Sequence, residues 1–140
     1  MADIAIVYWS GTGNTEAMAN LVAEGVREAG KDVDVISAEN FSAADASKYT
    51  GFAFGCPSMG DEILEEEVFE PMFADVEGSL GGKTVGLFGS YGWGDGQWMR
   101  DWVDRCKAVG ANIVGDVIAN EYPGDAESAD CKALGAKVAA

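Results

Sequence analysis

The chain has 140 residues, 48% of them hydrophobic, which allows one domain with a substantial core and excludes a mainly disordered protein. Its net charge of −15 argues against nucleic acid and anionic membrane surfaces as partners and favours proteins with basic surfaces. Histidine is absent, which removes the commonest general base and metal ligand, and Cys56, Cys106 and Cys131 form no C-x-x-C pair, so no metal site is expected.

The N-terminal stretch MADIAIVYW carries no basic leader or cleavage site, and no apolar run is long enough to span a membrane. A cytoplasmic monomer with reduced thiols is expected. From there the elements follow in order. IAIVYW (4–9) is a short apolar run ending at a Gly/Ser cluster, a buried strand. Met18, Leu21, Val22, Gly25, Val26 and Ala29 then fall at helical spacing, so residues 14–29 form an amphipathic helix stopped by Gly30. DVDVIS (32–37) is the second strand, residues 38–50 a turn with one loose helical stretch, and GFAFGC (51–56) the third strand.

EEEVFEPMFADV (65–76) reads as a short helix, acid-rich at its start and kinked or weakened by Pro71. KTVGLFG (83–89) is the fourth strand, and residues 96–109 a helix burying Trp98, Met99, Trp102, Val103 and Cys106. NIVGDVIAN (112–120) is the fifth strand, bent at Gly115, and residues 128–139 the closing helix. Five strands alternating with helices predict one α/β domain, residues 1–140. Its parallel sheet is doubly wound in the order 2-1-3-4-5, with helices on both faces. In that order ligands bind at the carboxyl ends of the first, third and fourth strands.

Three unusual loops fall there. SGTGNT (10–15) opens a helix, where backbone N–H groups converge on an anion. It has no P-loop lysine, and Glu16 stands where a dinucleotide fingerprint needs a third glycine. What remains is a site for a terminal phosphate held by neutral donors. CPSMGDE (56–62) is a turn by itself. GSYGWGDG (89–96) holds Trp93 between two glycines, off any helical stripe, as a plate for a flat ligand. Together the three loops describe a slot for an aromatic phosphomonoester.

IVYWSGTGNTE, GCPSMGDE and FGSYGWGDGQWM, in this order and spacing, resemble the short-chain flavodoxins of anaerobic bacteria over essentially the whole chain. The resemblance implies a flavodoxin-like fold and a low-potential one-electron carrier with non-covalently bound FMN, working between redox enzymes. It implies that Ser10, Gly11, Thr12, Gly13, Asn14 and Thr15 bind the FMN phosphate and that Met59 and Trp93 sandwich the ring. Gly60 would carry the peptide that turns toward flavin N5 in the one-electron-reduced state, and Glu62 would accept a hydrogen bond from N3. Ser90, Tyr91, Gly92 and Asp95 would line the ring edge and ribityl chain, with Pro57, Ser58, Asp61 and Gly94 in the same loops. Trp9 and Asn120 would touch the rim. Some relatives carry a phosphate-binding serine in place of Pro57.

Six carboxylates between Asp61 and Glu70 would lower the potential of the site, and Asp61, Glu65 and Glu66 would dock basic partners. One alternative is a small FMN-dependent NAD(P)H:quinone reductase. A phosphoacceptor receiver needs an aspartate where Cys56 stands, and a cobalamin module needs a histidine.

Overall fold

The computed structural model describes residues 3–11, 13–59 and 62–140. Five parallel strands, β1 (Ile4–Tyr8), β2 (Val33–Ser37), β3 (Gly51–Gly55), β4 (Thr84–Tyr91) and β5 (Asn112–Asn120), form one sheet in the order β2-β1-β3-β4-β5. The helices are α1 (Asn14–Glu28), α2 (Ala43–Ala46), α3 (Phe69–Val76), α4 (Gln97–Ala108) and α5 (Asp125–Ala139).

Side-chain alternation along the strands divides the core in two. Ile4 and Ile6 of β1 join Met18 and Val22 of α1 and Leu134 and Val138 of α5 on one face. Ala5 and Val7 point the other way, with Phe52 and Phe54 of β3, into Phe69 and Phe73 of α3 and Trp98 and Trp102 of α4. Both tryptophans on α4 are core residues, as their spacing indicates. On the first face α1 and α5 cross closely. A Cβ on Gly135 would lie 2.1 Å from the Val22 carbonyl oxygen, and one on Gly25 2.0 Å from that of Lys132. Only hydrogen at both positions lets α1 lie where its N-terminus meets the ends of β1 and β4.

The starts of α3 and α5 and the end of β4 depart from the sequence expectation, whereas β5 is irregular beside Gly115 as expected. Helix α3 starts at Phe69 rather than residue 65; the Glu65 carboxylate instead accepts the N–H groups of Glu67, Val68 and Phe69 at its start. Pro71 therefore falls in the first turn, where its missing N–H costs nothing, and it does not kink the helix. Strand β4 runs through Gly89, Ser90 and Tyr91, paired with Ile118, Ala119 and Asn120 of β5, so the first three residues of the expected third loop are strand. Helix α5 begins three residues early, at Asp125, because the Glu127 carboxylate accepts the Gly124 N–H at 3.0 Å. Strand β5 carries its irregularity beside Gly115: Val85 pairs with Ile113 and Gly86 with Gly115, which leaves Val114 as an extra residue.

Candidate functional site

The first loop leaves β1 at Tyr8 and enters α1 at Asn14. Gly13 stands before the helix at φ 96 and offers no side chain to cap it. Ser10 does so from three residues back: its hydroxyl oxygen accepts the N–H groups of Gly13 at 3.1 Å and Glu16 at 3.2 Å. The N–H groups of Asn14 and Thr15 between them find no acceptor among the described residues. Two unpaired donors at the positive end of a 15-residue helix are a seat for an anion.

A cleft of about 270 Å³ opens beside this seat, with Trp9, Gly11 and Asn14 as its first wall. Pro57, Ser58 and Met59 of the second loop and Ser90, Tyr91 and Gly92 at the end of β4 supply the others. The first loop is packed against itself: a Cβ on Gly11 would meet the Trp9 ring at 3.0 Å. The second loop is tied down by paired backbone hydrogen bonds between Met59 and Ile63, at 2.9 and 3.0 Å. The Ser58 N–H donates to the Ser90 carbonyl at 2.9 Å, and the Thr15 and Ser90 hydroxyls lie 3.0 Å apart.

Other expected residues stand at the margin. Trp93 is 63% exposed and outside the cleft wall, and Met59, at 36%, is the more enclosed of the two. Asp95 pairs with Arg100 at 3.0 Å. The Asn120 amide donates to the Tyr91 carbonyl at 3.3 Å and closes the end of the sheet instead of lining the cleft. Glu62, at φ 59, lends its carboxylate to the backbone N–H groups of Asp95 and Trp98, both at 3.3 Å. Thr12, Gly60 and Asp61 lie outside the described residues.

One lining residue escaped the sequence reading. Glu121 follows β5 at φ 59, with its N–H on the Tyr91 carbonyl at 2.8 Å, and faces the cleft. Nothing in NEYPGD marks it out; only the fold brings it beside Tyr91.

The electrostatics are one-sided. Among the described residues no lysine or arginine lines the cleft. The six carboxylates expected around the second loop do not act alike. Glu65 is 6% exposed and accepts the N–H groups of Glu67, Val68 and Phe69, each at 2.8 Å. Burial pushes its pKa up, but these hydrogen bonds prevail and hold the carboxyl below the usual glutamate range. Glu70 is paired with Arg105 at 2.7 Å, and Arg105 also holds Glu77 at 2.8 Å. Glu66 and Glu67 remain fully available to solvent. The three cysteines are buried and unpaired, and burial pushes the Cys106 and Cys131 thiols up to about 12, where they stay protonated and unreactive.

The N–H groups of Asn14 and Thr15, without an acceptor among the described residues, fit a phosphate, and Trp9, Met59 and Tyr91, which line the same cleft, fit a flat ring. The fold is that of a doubly wound α/β module with its cleft at the carboxyl ends of β1, β3 and β4, a shape suited to an aromatic ligand with a terminal phosphate. The family model described as Flavodoxin matches residues 6–135. Similar proteins include the flavodoxin of Megasphaera elsdenii, 49% identical over 94% of this chain and 95% of that protein. The flavodoxin of Clostridium beijerinckii is 47% identical over 96% and 97%. The solution structure of two-electron reduced Megasphaera elsdenii flavodoxin matches with a TM-score of 0.91 at 48% identity, covering 97% of this chain and 98% of that one. The chain belongs to the flavodoxin family. It is an FMN-binding electron carrier rather than an enzyme with its own substrate, and the reductase alternative gains no support.

Proposed function

We propose that this chain carries single electrons at low potential between redox enzymes, with the FMN phosphate seated on the N-terminus of α1. Bound FMN supplies the redox centre, taking up and releasing one electron at a time. The observation that carries the seat is the pair of N–H groups at Asn14 and Thr15 with no acceptor among the described residues, next to the hydroxyl of Ser10 in a cleft whose described lining holds no lysine or arginine. Neutral donors hold a dianion without cancelling its charge. The ring then lies against Met59, Tyr91 and Trp9, and Trp93 covers it from the exposed side.

Low potential follows from the same arrangement. A unit negative charge about 12 Å from an added electron opposes it by about 0.3–1.4 kcal/mol at effective dielectrics of about 80 to 20. Glu66, Glu67 and Glu121 are exposed, Glu121 lines the cleft, and among the described residues no lysine or arginine lines it to offset them. The same exposed carboxylates steer basic redox partners toward the edge formed by Met59, Ile63 and Trp93, which are 36%, 42% and 63% exposed. Buried free thiols suit a reducing compartment, and the chain is assigned to the cytoplasm as a monomer. Among the described residues no helix is long and apolar enough to cross a membrane.

Titrating the purified apoprotein with FMN, riboflavin and FAD tests the seat. FMN binds most tightly, by at least about tenfold, because each hydrogen bond to a charged acceptor contributes about 1.5–3 kcal/mol. Equal affinity for riboflavin and FMN would falsify the assignment of the first loop.

A further inference from the structure

Ser90 ties all three loops together. Its carbonyl oxygen accepts the Ser58 N–H of the second loop at 2.9 Å. Its hydroxyl lies 3.0 Å from that of Thr15, 75 residues away in the first turn of α1. Ser90 itself sits one residue before the end of β4, where the third loop begins. Thr15 and Ser90 are 1% and 5% exposed, and neither hydroxyl has another hydrogen-bond partner among the described residues.

A hydroxyl has one hydrogen to give and two lone pairs to receive. In the Thr15–Ser90 pair one oxygen receives, and the receiver keeps its own hydrogen for a third group. The unpaired N–H groups of Asn14 and Thr15 stand beside this pair. An anion seated on them calls for one more donor. Only the arrangement in which Ser90 donates to Thr15 Oγ1 leaves the Thr15 O–H for that anion. With no Ser90 hydroxyl, the Thr15 O–H is free to turn to a backbone carbonyl of the preceding turn.

We propose that Ser90 is a positioning residue for the phosphate: by donating to Thr15 it aims the Thr15 hydroxyl at the anion and so sets part of the preference for FMN over riboflavin. The proposal rests on the FMN reading above. It assigns to Ser90, a residue of the ring-side wall, an effect on the far end of the ligand.

The test is the ratio of riboflavin to FMN dissociation constants, measured with the apoprotein by flavin fluorescence. Ser90→Thr and Ser90→Val add the same bulk and differ only in the hydroxyl. Ser90→Thr keeps the wild-type ratio within about twofold, whereas Ser90→Val lowers it about three- to tenfold by weakening FMN alone. In a Thr15→Val background Ser90→Val changes the ratio no further. Ser90→Ala, which adds no bulk, lowers the ratio in the same way and carries the test should the β-branched variants fail to fold. Equal weakening of FMN and riboflavin by Ser90→Val and Ser90→Ala means a purely structural role and overturns the proposal, as does a full effect in the Thr15→Val background. A wild-type protein that does not distinguish the two flavins contradicts the phosphate seat itself, whatever Ser90 does.

Discussion

The carboxylate of Glu62, in the second loop, accepts the backbone N–H of Trp98 at the start of α4, 36 residues along the chain. The helix needs this help. Its own N-cap is Gly96, which has no side chain, and its first turn contains no acidic residue. A carboxylate from another loop therefore caps it and complements its dipole. The contact also ties the second loop to the third. Glu62→Ala is expected to lower the stability of the apoprotein by about 1 kcal/mol in urea denaturation, and Glu62→Gln by less, because the amide oxygen still accepts. Equal stability of Glu62→Ala and wild type would remove the capping role.

Glu65 provides a test by pH. Its carboxyl is held below the usual glutamate range in the folded protein, so the unfolded chain binds the proton more readily. The stability that Glu65 contributes is fully present above the unfolded value of about 4.3 and is lost as pH falls through the lower folded value. Glu65→Gln should therefore be less stable than wild type at neutral pH, and the difference should shrink below about pH 4. A difference that stays constant from neutral to acid pH counts against the charge on Glu65 as its source.

The two core tryptophans of α4 give a matched pair. Trp98 Nε1 donates to the Cys56 carbonyl at 3.3 Å, whereas Trp102 Nε1 is buried without a partner. Trp102 packs edge-on against Phe69 and Phe73, with ring centroids at 5.4 and 5.7 Å. Replacing either by phenylalanine removes similar volume. Trp98→Phe also strands a buried carbonyl, and Trp102→Phe relieves a stranded N–H. Trp98→Phe is thus expected to cost about 1–3 kcal/mol more than Trp102→Phe. Thermal unfolding of the two variants side by side decides it, and the reverse order would be inconsistent with this hydrogen-bond pattern.

Much of this was legible in the sequence, and the exceptions have physical causes. The strand order followed from alternating apolar runs and helical stripes, because a parallel sheet leaves few ways to connect them. The helix start on which the phosphate seat is proposed was legible because SGTGNT is local: strand end, turn and helix start lie within six residues. Glu65 was misread as a surface charge. In EILEEEVFE nothing distinguishes it from its neighbours until the chain turns back and three N–H groups converge on it. The roles of Glu62 and Ser90 depend on partners 36 and 75 residues away, Trp98 and Thr15, and that of Glu121 on the Tyr91 carbonyl at the end of β4, which only the folded chain brings near. The backbone at Gly60, expected from the family resemblance to face flavin N5, lies outside the described residues.

The structure also changes which carboxylates are expected to guide partners. Glu65 is occupied in its cap and Glu70 in its pair with Arg105, so Glu66 and Glu67 are the exposed charges of this edge. Electron transfer from the FMN-loaded protein to a basic cytochrome is expected to slow as salt rises, since exposed charges act through a screened field. Glu66→Gln together with Glu67→Gln should flatten that dependence and leave FMN affinity unchanged. Stopped-flow rates across a series of ionic strengths measure it, and an unaltered salt dependence in the double variant would place the docking charges elsewhere.

FMN in this cleft is expected to be a low-potential one-electron centre. An anaerobic redox titration of the FMN-loaded protein, followed by absorbance, tests it most directly. Two resolved one-electron steps are expected, the second well below the potential of free FMN, because among the described residues the cleft offers neutral donors and the Glu121 carboxylate but no lysine or arginine. A single two-electron step at the potential of free FMN would contradict it.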